Sequence, residues 1–150
     1  MKIVIQRVSK ASVTINKIKV ATIKSGLLIL LGIVDDDSQD DIDFLARKIV
    51  NLRVFNDENT VMNKSLLDID GEVIIVSQFT LHASTKKGNR PSYLKSAKPE
   101  IAIPLYKIFL KTLENNLGKK VHTGHFGADM MVEILNDGPV TIIIDSKNKE

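Results

Sequence analysis

The stretch Gly26-Leu27-Leu28-Ile29-Leu30-Leu31-Gly32-Ile33-Val34 contains the longest apolar run of the chain. Leucine and isoleucine follow one another here without polar alternation, which is typical of a strand buried on both faces. The eight residues from Leu27 to Val34 are too few to span a bilayer. The run therefore predicts a central strand of a globular core, and Val73-Ile74-Ile75-Val76 predicts a second one.

Shorter strands are predicted on both sides of these two runs. Along residues 3–8, Val4, Gln6 and Val8 alternate with Ile3, Ile5 and Arg7, which predicts a strand. The apolar positions of residues 13–23 indicate a hairpin that turns near Asn16-Lys17. The last third of the chain returns to strand patterns. These predicted strands lie around Val121, over Met130–Leu135 and over Val140–Asp145.

Two segments have the pattern of amphipathic helices. Ser38 followed by Asp41 is a capping-box pattern for the first helix, and the second is predicted from Glu100 to Leu117. Pro104 suits the first turn of the second helix, and Gly118 suits the position after its end. The residues predicted to share an apolar face are Ile42, Leu45, Ala46 and Ile49 in the first helix, and Ile101, Leu105, Ile108, Phe109 and Leu113 in the second.

These elements predict a single α/β domain over residues 1–150. Two helices beside about seven strands are too few for a doubly wound parallel fold. We therefore expect a mostly antiparallel or mixed sheet with two main helices. A strand-rich sheet leaves edges and faces to be covered, which favours self-association.

The composition is that of an ordinary globular protein, with 43% hydrophobic and 26% charged residues. The chain has no cysteine, which excludes disulfides, zinc–thiolate sites and cysteine nucleophiles and fits a reducing compartment. The polar pair Gln6-Arg7 interrupts the start of the chain, so the apolar core of a signal peptide is missing. We expect a cytoplasmic protein without a membrane partner.

Charge is unevenly distributed, although the net charge is only +3. Acidic residues are concentrated in residues 35–43, whereas residues 86–98 are basic and contain no acid. A local basic stretch can neutralise nucleic-acid phosphates, but it can equally be a solvated loop. The basic residues are Lys86, Lys87, Arg90, Lys95 and Lys98.

The segment Ser77-Gln78-Phe79-Thr80-Leu81 places hydrogen-bonding side chains at the end of a predicted buried strand. Buried polar groups cost free energy unless they are paired, so such groups often serve a ligand. Thr80 offers a hydroxyl, Gln78 both donates and accepts, and main-chain N–H groups at a strand end can face an oxyanion. The alternative is that these polar residues reflect only β-propensity and the turn that follows the strand, without a ligand.

The segment Asn136-Asp137-Gly138-Pro139-Val140-Thr141 lies between two predicted strands, where Gly-Pro indicates a tight turn. A cis bond at this dipeptide would orient both of its carbonyls unusually. Two rigid carbonyls could accept hydrogen bonds from an ammonium group and so test stereochemistry.

A metal site is a third possibility, formed by His122, His125 and Asp129. The spacing of the two histidines on a strand or loop is not a recognised ligand pattern. We therefore expect no metal and no cofactor. Sequence motifs for serine hydrolases, zinc proteases and nucleotide-binding folds are also missing.

Together these segments resemble the D-aminoacyl-tRNA deacylases (the D-tyrosyl-tRNA deacylase family), and the match runs end to end. His82 departs from the family pattern, in which an aromatic residue is frequent. The matching pieces are Ile5-Gln6-Arg7-Val8, Leu52-Arg53-Val54-Phe55, Met62-Asn63, residues 76–81, Thr85-Lys86-Lys87-Gly88-Asn89-Arg90-Pro91, Phe126-Gly127-Ala128-Asp129-Met130 and residues 136–141.

The resemblance implies a two-fold homodimer that hydrolyses the ester of D-aminoacyl-tRNA, with two active sites at the subunit interface. It implies rejection of L-aminoacyl esters and acceptance of glycyl esters, which have no handedness. The partner is then the aminoacylated 3′ end of tRNA. The implied site residues are Ser77, Gln78, Phe79 and Thr80 for catalysis, Gly138 and Pro139 of the partner subunit as chirality filter with Arg7 as brace, Phe126, Ala128 and Met130 for adenosine, and Lys86, Lys87 and Arg90 for phosphates.

Two catalytic routes follow from this resemblance. Thr80 could be a nucleophile, but no histidine or lysine base stands beside it in the sequence. In the other route the Phe79 N–H stabilises an oxyanion while the 2′-hydroxyl of the tRNA assists attack by water. We favour the second route. Two competing functions are a non-catalytic dimer that binds tRNA ends and a metal-dependent small-ester hydrolase that uses His122, His125 and Asp129.

Overall fold

The fold is a curled mixed sheet with two helices, and a computed structural model describes residues 1–149. Within these residues the strands are β1 (Lys2–Ile15), β2 (Ile18–Ile23), β3 (Gly26–Gly32), β4 (Phe55–Asn56), β5 (Met62–Lys64), β6 (Glu72–Ser77), β7 (His122–Thr123) and β8 (Met131–Asp145). The helices are α1 (Gln39–Asn51) and α2 (Pro99–Leu117), and a 3-10 turn spans Phe79–His82.

The main sheet has the order β2-β1-β3-β6-β7, with β8 paired to the other edge of β1. The pairs β3–β6 and β6–β7 are parallel, whereas β1 is antiparallel to β2, β3 and β8. Since β2 also contacts β6 and β7, the sheet is nearly barrel-shaped. The prediction of a single α/β domain with a mixed sheet and two helices is confirmed.

β3 is buried on both faces, as its sequence predicts. Leu27, Ile29 and Leu31 pack in the core beneath α1 and α2, whereas Leu28 faces a second core inside the curled sheet. Both faces of a strand need apolar side chains only when each face is covered. The uninterrupted apolar run is therefore a consequence of this two-sided packing.

Local patterns at the turns and caps are also confirmed. Asn16 and Lys17 both have positive φ, 49° and 66°, which suits the two-residue hairpin turn between β1 and β2. Ser38 and Asp41 form the predicted capping box of α1, and Gly118 ends α2 with φ of 75°.

The prediction for α2 was wrong in two details. The helix begins at Pro99, so Pro104 lies beyond the first turn rather than within it. Ile101 and Ile108 are exposed rather than part of the buried stripe, because the packed face of the helix is rotated relative to the prediction. The buried residues of α2 are Ala102, Tyr106, Phe109, Leu113 and Leu117.

The prediction of a tight turn within residues 136–141 was also wrong. β8 is one continuous strand through this segment. Gln6 of β1 pairs with Thr141 and Val8 pairs with Asn136, which leaves residues 137–140 as a bulge opposite Arg7. The strands predicted over residues 130–135 and 140–145 are therefore present, but they are two parts of a single strand because both pair with β1.

The N-terminus of α1 is tied to the segment that follows β8. The Asp41 carboxylate accepts hydrogen bonds from the Ser38 N–H (2.8 Å) and from Lys147 Nζ (2.9 Å). Burial alone would raise the pKa of Asp41, but hydrogen bonds from Ser146, Lys147 and Ser38 outweigh it and hold this pKa well below its usual range. Within residues 1–149, neither helix is long and apolar enough to cross a membrane.

We expect Asp41→Asn to lower the free energy of unfolding at pH 7 and to weaken its dependence on acid. Because the pKa of Asp41 is lower in the folded state, the stabilisation is complete above the unfolded-state pKa of about 3.9 and is lost as pH falls below it. Guanidinium unfolding at pH 7 and at pH 3 measures both effects. Asp40→Asn, an exposed neighbour in the same turn, is the control. Equal pH dependence in the wild type and in Asp41→Asn would contradict this assignment.

Candidate active site

A pocket of about 280 Å³ lies between the end of β6 and the loop that leads from β7 to β8. β6 supplies one wall and this loop supplies the other, because β7 pairs in parallel with β6 and carries the loop to the same end of the sheet. The lining residues are Val76, Ser77, Gln78 and Phe79 on one side, and Phe126, Gly127, Ala128, Asp129, Met130 and Val132 on the other.

The polar end of β6 is held in place by β3. The Gln78 N–H donates to the Leu31 carbonyl (2.7 Å), which continues the β3–β6 pairing by one residue before the chain enters the 3-10 turn. Phe79 is the first residue of this turn, where a helical N–H has no acceptor within the helix. The Phe79 N–H is thus suited to bind an external oxyanion.

The Thr80 hydroxyl accepts a hydrogen bond from Gln78 Nε2 (2.6 Å). An amide nitrogen cannot take up a proton at neutral pH, so this partner orients the hydroxyl without activating it. His82 lies two residues further on, and its side chain is close to Gly32. Burial lowers the pKa of His82, which favours its neutral form at pH 7.

The opposite wall is fixed by contacts that begin in the core. The Phe126 ring packs edge-on against the Tyr106 ring with centroids 5.5 Å apart. The Tyr106 hydroxyl donates to the Ile75 carbonyl (3.2 Å), and burial raises the pKa of Tyr106 to about 12. Met130 fits closely against Gly124, where an added Cβ would clash with the Met130 sulfur. A side chain at residue 124 would therefore displace Met130.

Arg7 connects the core to the bulge of β8. Its side chain is buried, and Nη1 donates to the Val54 carbonyl (2.6 Å) while Nε donates to the Asp137 carbonyl (3.2 Å). Nε also lies 3.1 Å from Asp137 Oδ2. Gly138 has φ of 117°, and a Cβ there would lie 2.7 Å from Arg7 Nη2. The peptide bond between Gly138 and Pro139 is cis, as the resemblance implies.

The structure brings together six of the site residues that the family resemblance implies. Ser77, Gln78 and Phe79 share the pocket with Phe126, Ala128 and Met130, and Thr80 contacts it through Gln78. Gly138 and Pro139 do not line this pocket within the described part of the chain and are exposed. Their predicted position, across a subunit interface, stays a prediction.

The basic residues Lys86, Lys87 and Arg90 are exposed in a loop that the Ser84–Ser92 pairing closes. A larger cavity of about 650 Å³ lies elsewhere, between α1 and the end of β8, and contains none of the predicted site residues. The smaller pocket therefore has the stronger claim to function, because the chemistry-bearing residues meet there.

The three candidate metal ligands have different surroundings. Asp129 lines the pocket, His125 is exposed, and His122 Nε2 lies 3.9 Å from Glu72 Oε1. Among residues 1–149, no three His, Asp or Glu side chains are arranged to hold a metal ion.

Sequence reasoning missed two residues that contact the site. The Tyr93 ring packs against Phe79 with centroids 5.0 Å apart, and the Ser96 hydroxyl donates to the Phe79 carbonyl (2.7 Å). Both lie in the irregular segment between the 3-10 turn and α2. No periodic pattern connects them to Phe79, so only the folded chain reveals these contacts.

Comparison with known proteins gives one consistent relationship. Residues 4–145 match the family described as D-Tyr-tRNA(Tyr) deacylase. The chain is 69% identical to a D-aminoacyl-tRNA deacylase of Flavobacterium psychrophilum and 65% identical to one of Bacteroides fragilis, in both cases over the full length of both proteins.

Solved structures agree with this relationship at the level of the fold. One, described as the c-Myc DNA unwinding element binding protein, is 42% identical, with a TM-score of 0.92 over 97% of this chain and 98% of that one. Another, described as a probable eukaryotic D-amino acid tRNA deacylase, is 14% identical, with a TM-score of 0.82 over 95% and 97% of the two chains. At that identity the likeness shows the fold alone.

We expect Arg7→Lys to lower the free energy of unfolding by about 1–3 kcal/mol, because a lysine cannot reproduce two directed bonds to buried or partly buried carbonyls. It should also speed amide exchange in residues 136–140. Denaturant unfolding and hydrogen exchange measure the two effects. Arg53→Lys, at an exposed arginine, is the control and should change stability by less than about 0.5 kcal/mol. Equal effects of both substitutions would argue against a bracing role for Arg7.

Proposed function

The chain belongs to the D-Tyr-tRNA(Tyr) deacylase family, and on this premise we propose that it hydrolyses the ester between a D-amino acid and the terminal adenosine of tRNA. The products are free D-amino acid and tRNA. The observation that carries the proposal is the pocket in which Ser77, Gln78 and Phe79 face Phe126 and Met130. Its volume, about 280 Å³, lies at the lower end for small-molecule sites and suits one terminal nucleoside better than a larger part of the tRNA.

The two walls of the pocket have different chemistry. Phe126, Ala128 and Met130 offer an apolar and adaptable surface, which suits the adenine ring. The opposite wall carries the Phe79 N–H, the Gln78 amide and the Ser77 hydroxyl, which suit the ester and the sugar. We assign the first set to adenosine binding and the second to the reacting group.

The proposed reaction is direct hydrolysis. Water adds to the carbonyl carbon, the Phe79 N–H stabilises the resulting oxyanion, and the ester C–O bond then breaks as the ribose oxygen takes a proton. The neighbouring ribose hydroxyl assists attack by water, since the substrate brings this group into place. Thr80 is assigned a positioning role because its hydroxyl is hydrogen-bonded to the side-chain amide of Gln78 and not to a base.

Chirality would be read by Gly138 and Pro139 of a partner subunit. Their two carbonyls are proposed to accept hydrogen bonds from the α-ammonium group, so that an L-isomer directs its side chain into the backbone, whereas achiral glycine is accepted. The support is that both residues are exposed on the bulge of β8 and that Arg7 holds the preceding carbonyl. A filter made of backbone is insensitive to which side chain the substrate carries.

A two-fold dimer is proposed to bring this bulge to the pocket. Met131, Leu135 and Ile143 of β8 are 72%, 63% and 66% exposed, and a single strand that leaves large apolar side chains in water favours association. A dimer of this kind would cover them and would complete each active site with residues from both subunits.

The nucleic acid outside the pocket would be held by charge. Lys86, Lys87 and Arg90 are exposed in the loop that follows the 3-10 turn, and we assign them to phosphates of the acceptor stem. The absence of a cofactor and the cytoplasmic location stay predictions.

We expect the purified protein to release D-tyrosine from D-tyrosyl-tRNA, and glycine from glycyl-tRNA, at least a hundredfold faster than L-tyrosine from L-tyrosyl-tRNA. Filter-bound radioactivity measures the three rates. Gly138→Ala should reduce D-tyrosine release about tenfold or more, because the added Cβ meets Arg7 Nη2 and φ of 117° disfavours alanine.

The competing function is that of a non-catalytic dimer that binds tRNA ends, and one similar structure is described as the c-Myc DNA unwinding element binding protein. Binding of D-tyrosyl-tRNA without release of the amino acid would favour this second function. Preferential release of L-tyrosine would instead contradict the assignment of the filter.

We expect Thr80→Ala to retain D-tyrosyl-tRNA hydrolysis within about tenfold of the wild type, since a positioning hydroxyl contributes less than a nucleophile. Replacing the terminal ribose hydroxyl that neighbours the ester by hydrogen should slow wild-type turnover by about a hundredfold or more. Single-turnover kinetics measures both. A loss of several orders of magnitude in Thr80→Ala with unchanged substrate binding would favour a threonine nucleophile. Full turnover of the deoxy substrate would exclude assistance by the ribose.

A further inference from the structure

Two exposed aromatic rings stand next to each other beside the pocket. Phe79 is 56% exposed and Tyr93 is 41% exposed, although their rings pack edge to face with centroids 5.0 Å apart. Aromatic residues make up only 5% of the chain, so a pair left partly in water is unusual for this sequence. Phe79 itself lines the pocket, which places the Tyr93 ring just outside it.

The segment that carries Tyr93 is anchored on both sides. Ser84 and Ser92 exchange two backbone hydrogen bonds of 2.8 and 2.9 Å before it. After it, the Ser96 hydroxyl donates to the Phe79 carbonyl (2.7 Å) and the Ala97 N–H donates to the Ile33 carbonyl (2.9 Å). The Tyr93 ring is therefore presented on a closed loop whose position is tied to Phe79.

The loop that carries this ring also lines a basic groove. Ser92 and Leu94, the neighbours of Tyr93 in the chain, line a groove of about 330 Å³ together with Lys86, Lys87 and Lys95. Residues 86–98 contain no acid that would neutralise these lysines. An aromatic ring beside a basic groove is the arrangement by which proteins bind unpaired nucleotides, the ring stacking on a base and the cations contacting phosphates.

We propose that Tyr93, supported by Phe79, is the stacking site for the unpaired nucleotide that precedes the terminal adenosine of the substrate. This inference rests on the proposed function, because it takes the adenosine to lie in the pocket between Phe79 and Met130. The next nucleotide of the strand must then leave the pocket past Phe79. The Tyr93 ring meets it there, and the lysine-lined groove receives the following phosphates. Tyr93 thus binds substrate without taking part in the reaction.

Substrates of two lengths test this assignment. The short one is 3′-O-(D-tyrosyl)adenosine, which ends before the proposed stacking site, and the long one is D-tyrosyl-tRNA. Tyr93→Ala should raise KM for D-tyrosyl-tRNA roughly tenfold, as expected for the loss of one stacked base. It should leave kcat for D-tyrosyl-tRNA within about twofold of the wild-type value. The kcat and KM for the short substrate should also stay within about twofold of the wild type. Tyr93→Phe, which keeps the ring, should behave as the wild type with both substrates.

A second measurement does not depend on turnover. The dinucleotide cytidylyl-adenosine should compete with D-tyrosyl-tRNA better than adenosine does in the wild type, and this advantage should disappear in Tyr93→Ala. Ile18→Ala removes an exposed apolar side chain at the start of β2, outside the pocket and the groove, and should preserve the advantage. If Tyr93→Ala affects both substrates equally, or neither, or if Ile18→Ala has the same effect, the proposed stacking site is wrong. If the wild type hydrolyses neither substrate, the proposed function has failed instead.

Discussion

The parallel pairing of β3 with β6 determines where the candidate site lies. β3 is buried on both faces, so the sheet must have packed layers on each side, with the helices on one and the curled sheet on the other. Parallel strands bring their carboxyl ends to the same edge. The N–H of Gln78, the first residue beyond β6, donates a hydrogen bond to the carbonyl of Leu31 near the end of β3. β3, which needs an apolar layer on each face, therefore fixes the position of the first polar residues of the pocket.

A buried arginine couples this core to the exposed bulge of β8. Removing a guanidinium from water is costly, and hydrogen bonds to backbone carbonyls and an adjacent carboxylate offset that cost. Arg7 has all three partners, Val54, the Asp137 carbonyl and the Asp137 side chain. The bulge is thus held from below although its residues face solvent. Such support suits a backbone element that must keep its shape while it contacts a ligand.

Local sequence signals predicted the features whose causes are local. The apolar run of β3, the Asn16-Lys17 turn and the capping box at Ser38 each depend on residues close together in the chain, and each is confirmed. The turn expected at Gly138-Pro139 was wrong because pairing of β8 with β1, more than a hundred residues away, decides the conformation there. The buried face of α2 differs from the predicted one for a similar reason, because packing against the sheet and α1 decides which residues of the helix are buried.

The same distinction applies to the site. Ser77–Phe79 could be singled out because polar residues at the end of a buried strand are conspicuous, and family resemblance added Phe126 and Met130. Tyr93 and Ser96 carry no such signal, and only folding brings them to Phe79. Among the described residues that line the pocket, only Asp129 has a side chain that commonly acts as an acid or base, and the Thr80 hydroxyl is hydrogen-bonded to the Gln78 side-chain amide. A site of this kind can promote a reaction chiefly by holding an ester rigidly, and rigidity comes from the strands and loop contacts around it. Contacts that orient the end of the substrate strand then matter as much to function as the residues that line the pocket.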